Sequence, residues 1–166
     1  MVTVDDVKRL REETGAGVMD SKRALEESGG DFERARELLR ESGLATAAKR
    51  ADRATGQGLV EAYIHAGGRI GALVELNCET DFVARTDSFR QLARDIAMQV
   101  AAMNPTALDP EDVPDDAPGE REEQALLTQP FIKDAGRTIQ DLVQDAIAHT
   151  GENIRVSHFA RFELGG

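Results

Sequence analysis

The chain has 166 residues, 40% of them hydrophobic and 31% charged, and a formal net charge of −11. This composition is that of a globular protein with room for one domain and a small second module. No apolar run approaches the roughly 20 residues of a membrane helix, the single cysteine excludes an intrachain disulfide, and the charged N-terminal stretch lacks the apolar region of a secretion signal, so a cytoplasmic protein with no membrane partner is expected.

Thr3 is placed to cap a first helix, with Val4, Val7 and Leu10 at helical spacing and Gly15 as its stop. Asp20 is the predicted cap of a second, which carries Ala24 and Leu25 and ends at Gly29-Gly30. Asp31 caps a third, with Phe32, Ala35, Leu38 and Leu39 on one face and Gly43 closing it. Residues 1–43 therefore read as a three-helix domain that buries little by itself. Residues 44–55, LATAAKRADRAT, read as a linker with partial helical character.

A second module, 56–166, begins with alternation. Val60, Ala62, Ile64 and Ala66 share one face of a strand, and Ile70, Ala72, Val74, Leu76 and Cys78 share one face of the next. The Gly67-Gly68 pair between them predicts a hairpin. Asp87 is the predicted cap of the strongest helix, along which Phe89, Leu92, Ala93, Ile96, Ala97, Val100 and Met103 trace a continuous apolar face up to Asn104-Pro105. Residues 104–120 hold four of the five prolines, and between Asn104 and Glu123 eight carboxylates face one arginine, so −7 of the −11 lies there. An exposed acidic Pro-rich loop or a disordered tether fits that composition. With the acidic excess gathered in this way and no basic stripe elsewhere, direct nucleic-acid binding is not expected, because phosphate neutralisation needs clustered Lys and Arg.

A further helix places Ile139, Leu142, Val143, Ala146 and Ile147 on one face and ends at Gly151. The last segment alternates Ile154, Val156, His158, Ala160, Phe162 and Leu164 against Arg155, Ser157, Phe159, Arg161 and Glu163, the pattern of a strand with one buried face. The predicted class is α+β: three N-terminal helices, then a small antiparallel three-stranded sheet packed with helices. The exposed edges of so small a sheet invite pairing with a second copy.

Catalytic constellations are scarce. Cys78 with His65, His149 or His158 could form a thiol nucleophile and base, yet Cys78 and His158 fall on apolar strand faces, where such residues are usually core. No CxxC, HxxxH or HExxH spacing offers a metal site, and no glycine-rich loop joins a strand to a helix to hold phosphate. Neither cofactor nor metal is expected, and an enzyme is the weaker reading. The connection Thr80-Asp81-Phe82-Val83 is open to two readings. Phe82 and Val83 fold inward while Asp81 caps a helix, or the segment presents a carboxylate beside an aromatic ring that probes a partner.

Four blocks in order carry a resemblance. They are Leu10 to Leu25 (LREETGAGVMDSKRAL), Asn77 to Ala84 (NCETDFVA), Gln129 to Asp134 (QPFIKD), and Gly151 to Val156 (GENIRV) with Arg161-Phe162. Together they span nearly the whole chain, which resembles the translation elongation factor Ts family in its compact bacterial type. The resemblance implies a ubiquitin-associated-like N-terminal domain and an α+β core. It implies a guanine-nucleotide exchange factor without catalytic residues, whose partner is elongation factor Tu in its GDP-bound and nucleotide-free states. It also implies that Thr80, Asp81, Phe82 and Val83 dislodge the partner's Mg²⁺, and that Arg11, Val18, Met19 and Lys22 dock the N-terminal domain, although Val18 and Met19 can equally be core of their own module.

Three departures stand out. Ser21 occupies a position where the family commonly has cysteine. The segment from Asn104 to Gln129 is much shorter than in long relatives, which carry a duplicated half-core there, so a homodimer can supply the second half. Ala160 lies where some compact relatives have a cysteine, so no intersubunit disulfide is expected. The competing function is a ubiquitin-associated-like adaptor that binds another protein without driving exchange.

Overall fold

The computed structural model describes residues 1–166 and is α+β, with seven helices and a small antiparallel sheet. Thr3 caps α1 (Val4–Thr14), its hydroxyl accepting from the Asp6 N–H while the Asp6 carboxylate accepts from the Thr3 N–H. This reciprocal box satisfies two donors that the first turn would otherwise leave bare. Gly15, at φ 71°, ends the helix in the left-handed conformation that glycine adopts without a Cβ clash. The second helix, α2 (Val18–Glu27), starts earlier than Asp20 predicts, after an uncapped Gly17. Asp31 caps α3 through the Arg34 N–H, but α3 (Phe32–Arg50) runs through Gly43 and takes in most of the expected linker.

Two units divide the chain. One comprises Met1–Arg53 with Gln144–Asn153; the other comprises Ala54–Val143 with Ile154–Gly166. In the first, Leu10, Ala24, Leu25 and Ala35 form the core, flanked by Val7, Phe32, Leu38 and Leu39. Arg36 of α3 reaches Glu13 of α1 at 2.8 Å, and the Arg9 guanidinium lies 4.7 Å from the Phe32 ring centre. The hydrogen bonds from Arg36 and then Arg9 hold the Glu13 carboxyl below its ordinary range. The same unit fastens the end of α3 to the later segment: Arg50 donates to the Ile147 carbonyl at 3.1 Å, and Asn153 donates to the carbonyls of Ala51 and Arg53.

In the second unit, β1 (Gln57–Ile64) and β2 (Ile70–Cys78) form the expected hairpin, and β5 (Arg155–Glu163) pairs with the other edge of β2, giving the order β1-β2-β5. Gly58 is required at its position: at φ 146°, a Cβ there would stand 2.1 Å from the Leu76 carbonyl oxygen. On one face of the sheet, Ala72, Val74, Leu76 and Cys78 are buried. Against β1 and β2 lies α5 (Asp87–Met103), burying Phe89, Leu92, Ala93, Ile96, Ala97 and Val100 as the periodicity predicts, while Met103 is exposed.

The other face differs from expectation. The pairing register aligns Ala62, Leu73 and Ala160 in one row and Ile64, Gly71 and Phe162 in the next. Val60, Ile64, Leu73 and Phe162 on this face are 45–69% exposed. A bulge opposite Glu75/Leu76 changes the phase of β5, so Val156 is buried whereas His158, Ala160 and Phe162 point outward with Val60, Ala62 and Ile64.

The acidic segment is ordered. Main-chain hydrogen bonds from Thr106 to Gln124, Leu126 to Ala107 and Leu127 to Leu108 close its base, and Leu126 is fully buried. Arg121, in the short α6 (Arg121–Gln124), donates to the Pro110 and Val113 carbonyls and pairs with Asp115 across the loop. Beyond it, a two-stranded ribbon of β3 (Pro130–Phe131) and β4 (Asp134–Thr138) leads into α7 (Ile139–Thr150). Buried Gln99 holds the ribbon by donating to Gln129 and the Pro130 carbonyl and accepting from the Ile132 N–H. No helix is long and apolar enough to cross a membrane.

Candidate partner-binding site

Between β2 and α5 the chain makes one short helix, α4 (Asp81–Ala84). Four residues cannot sustain a helix by propagation alone, so its neighbours hold it. Thr80 is its cap, accepting from the Val83 N–H at 3.3 Å, and the Thr80 carbonyl accepts from the Ala84 N–H at 3.3 Å. Val83 and Ala84 are buried, at 6% and 8% exposure, and α4 packs on β1, β2 and α5. Thr86, rather than the expected Asp87, caps α5 through the Phe89 N–H.

With Val83 anchored inward, the helical step of about 100° per residue carries the preceding side chain outward. Phe82 is 79% exposed. Asp81 is also exposed, and Arg85 pairs with its carboxylate at 3.1 Å across one helical turn. An exposed pair of this kind contributes about 0.3–0.5 kcal/mol, so a partner can readily open it. Asp81, Phe82, Arg85 and Thr86 border a shallow hollow of about 370 Å³.

The segment read as Thr80 to Val83 therefore divides. Thr80, Asp81 and Phe82 are exposed, whereas Val83 is the anchor. The four N-terminal candidates all lie on α1 and α2. Arg11 is in the last turn of α1, Val18 and Met19 open α2 at 55% and 67% exposure, and Lys22 is exposed one turn on with Glu26 at 3.7 Å. Val18 and Met19 are thus outside the core of Leu10, Ala24, Leu25 and Ala35.

The family model described as "Elongation factor TS" matches residues 33–123. The curated protein "Elongation factor Ts" of Moorella thermoacetica is 48% identical, covering 99% of this chain and 96% of its own. The chain belongs to the elongation factor Ts family. Its likeness to the "Elongation factor Ts" of Carboxydothermus hydrogenoformans is 51%, covering 99% of this chain and 90% of that one, and to that of Rubrobacter xylanophilus 47%, covering 97% and 98%. The first two matches span 195 residues against 166 here, so those relatives of the elongation factor Ts family carry residues that this chain lacks.

Sequence reading misses three features of this elongation factor Ts chain. The Asp81–Arg85 pair was open to detection from its i,i+4 spacing. Thr86 was visible as a threonine just before an apolar helical run. The apolar outer face of the sheet had no distinguishing signal, since a strand's two faces look alike until the partner layers are placed.

Proposed function

We propose that this chain is a guanine-nucleotide exchange factor for elongation factor Tu that promotes GDP release by disturbing the partner's Mg²⁺ site. The observation that carries this reading is a phenyl ring 79% exposed beside a carboxylate, on a helix whose next residue is anchored in the core. Exposing a ring of this size costs solvation energy with no return inside the chain, which argues for burial against a partner. Phe82 is the wedge, Asp81 the polar lever, and Thr80 and Val83 set their direction.

Mg²⁺ requires near-octahedral oxygen geometry, so a small displacement of the loops around it weakens its hold on the nucleotide phosphates. The exchange factor needs no catalytic group; it needs higher affinity for the nucleotide-free partner than for the GDP-bound one. By reciprocity, GDP binding weakens the factor's hold to the same degree, which releases it after each cycle. Arg11, Val18, Met19 and Lys22 dock the N-terminal helices, acting as a ubiquitin-associated-like module, on the partner's GTPase domain. The reading involves no nucleic acid or membrane contact and places the protein in the cytoplasm.

A homodimer belongs to the same proposal. Antiparallel sheets with one wet face ordinarily make that face polar, but here it carries Val60, Ile64, Leu73 and Phe162. A second copy stacking on this face would bury all four in a self-complementary contact.

Stopped-flow release of a fluorescent GDP from elongation factor Tu tests the reading. Wild-type chain accelerates release in proportion to its concentration, and the Asp81→Ala/Phe82→Ala chain does not. A chain that binds the GTPase with no acceleration would be the adaptor instead.

A further inference from the structure

We infer that Cys78 and Thr86 are positioning residues that clamp the two ends of α4 and so aim Phe82. The inference rests on the exchange reading and extends it to two side chains that the tip itself does not present. Cys78 is fully buried at the end of β2, and its thiol donates to the Thr80 carbonyl at 3.1 Å. Thr86 stands at the other end, its hydroxyl donating to the Val83 carbonyl at 2.8 Å while accepting from the Phe89 N–H. The two acceptors are the carbonyls that open and close the short turn around Asp81 and Phe82.

The clamp follows from the helix being so short. A long helix fixes its side chains by an extended ladder of hydrogen bonds, but this one has a single turn of them, from the Ala84, Arg85 and Thr86 N–H groups to the Thr80, Asp81 and Val83 carbonyls. The Phe82 ring, 79% exposed, contributes little hold of its own in the free chain. Its direction is therefore set by the inward Val83 and Ala84, by that one turn of main-chain bonds and by the two side-chain fastenings that reinforce its end carbonyls. If either fastening loosens, slippage by one residue rotates the exposed position by about 100° and turns the ring away. A ring that must be re-aimed on contact adds its ordering cost to every encounter, which lowers the fraction of encounters that lead to release.

A packing role makes the opposite prediction for Cys78. If only volume and dryness matter, valine should serve better than serine, because serine places a hydroxyl in an apolar pocket. If the donor matters, serine should serve better in exchange even where it lowers the melting temperature.

The experiment uses full-length chains Cys78→Ser, Cys78→Val, Thr86→Ser and Thr86→Val with elongation factor Tu holding fluorescent GDP, each checked by thermal melting. The serine variants are expected to keep release within about twofold of wild type, and the valine variants to lose about five- to tenfold, the scale of one hydrogen bond. Cys78→Val releasing GDP as fast as Cys78→Ser would overturn the clamp. If Cys78→Val melts below the assay temperature, the Thr86 pair decides by the same comparison. A wild-type chain with no acceleration at all would instead overturn the exchange reading, and the clamp with it.

Discussion

Replacing Phe82 by alanine separates the proposed role from any structural one, because the free chain leaves the ring 79% exposed. A fully buried phenylalanine removes about 150–250 Å² from water. Four-fifths of a middle value near 200 Å² leaves roughly 160 Å² for a partner to cover, or about 4 kcal/mol at ~25 cal/mol/Å². Part of that is spent on fixing the ring and the groups around it, so a loss of about 2–3 kcal/mol is expected, or roughly 30- to 150-fold in exchange efficiency. The stability of the free chain should change by no more than about 0.5 kcal/mol, as for other exposed positions. The assay is the second-order rate constant for catalysed release of fluorescent GDP, with a denaturant melt of the free chain beside it. Wild-type exchange by Phe82→Ala would refute the wedge. A large loss of stability in the free chain would show that the ring serves its own fold.

Three further outcomes follow from other parts of the molecule. Ser21 is fully buried and its hydroxyl has no hydrogen-bond partner; Ser21→Cys should therefore raise stability by about 1 kcal/mol, read by chemical denaturation, since the penalty for an unsatisfied hydroxyl disappears. Leu73 lies at the centre of the outer sheet face, paired with Ala62 and Ala160, so Leu73→Glu should leave a chain that is monomeric by light scattering under conditions where the wild type is dimeric. The Glu13 carboxyl sits below the ordinary 4.5 because Arg36 and Arg9 bond to its charged form. A lowered folded-state value gives stability that is complete above the unfolded value and is lost as pH falls through the folded one. Glu13→Gln should accordingly melt below wild type at neutral pH, and the two curves should converge as pH drops below 4.5; a constant gap would contradict the pairing.

Where the local chemistry is redundant, the sequence is a good guide. The Thr3 and Asp31 caps, the seam of α5 as far as Val100 and the buried alternation of β2 lie where spacing places them. The misses have specific causes. Gly43 does not stop α3, because the Leu44, Ala45, Ala47 and Ala48 that follow are strong enough helix formers to offset one glycine. The β5 bulge inverts the strand's phase, and nothing in an alternating string marks where the alternation slips.

The face of β1 with the best apolar pattern, Val60, Ala62 and Ile64, is the outer one, since alternation alone does not say which face the helices cover. The acidic segment is held by main-chain bonds at its base and by Arg121 inside it, contacts that composition cannot reveal. At the tip, the sequence places Phe82 and Val83 together, and one helical step sends them in opposite directions.

The central claim is that the exposed tip acts on a cation held by another protein. The most direct measurement compares wild type and Phe82→Ala in GDP release from elongation factor Tu, first with excess Mg²⁺ and then with the ion chelated. If the ring works by loosening the cation, its removal should matter greatly with Mg²⁺ present and hardly at all once the ion is gone. An equal deficit in both conditions would mean that Phe82 supplies binding alone and leaves the metal site undisturbed.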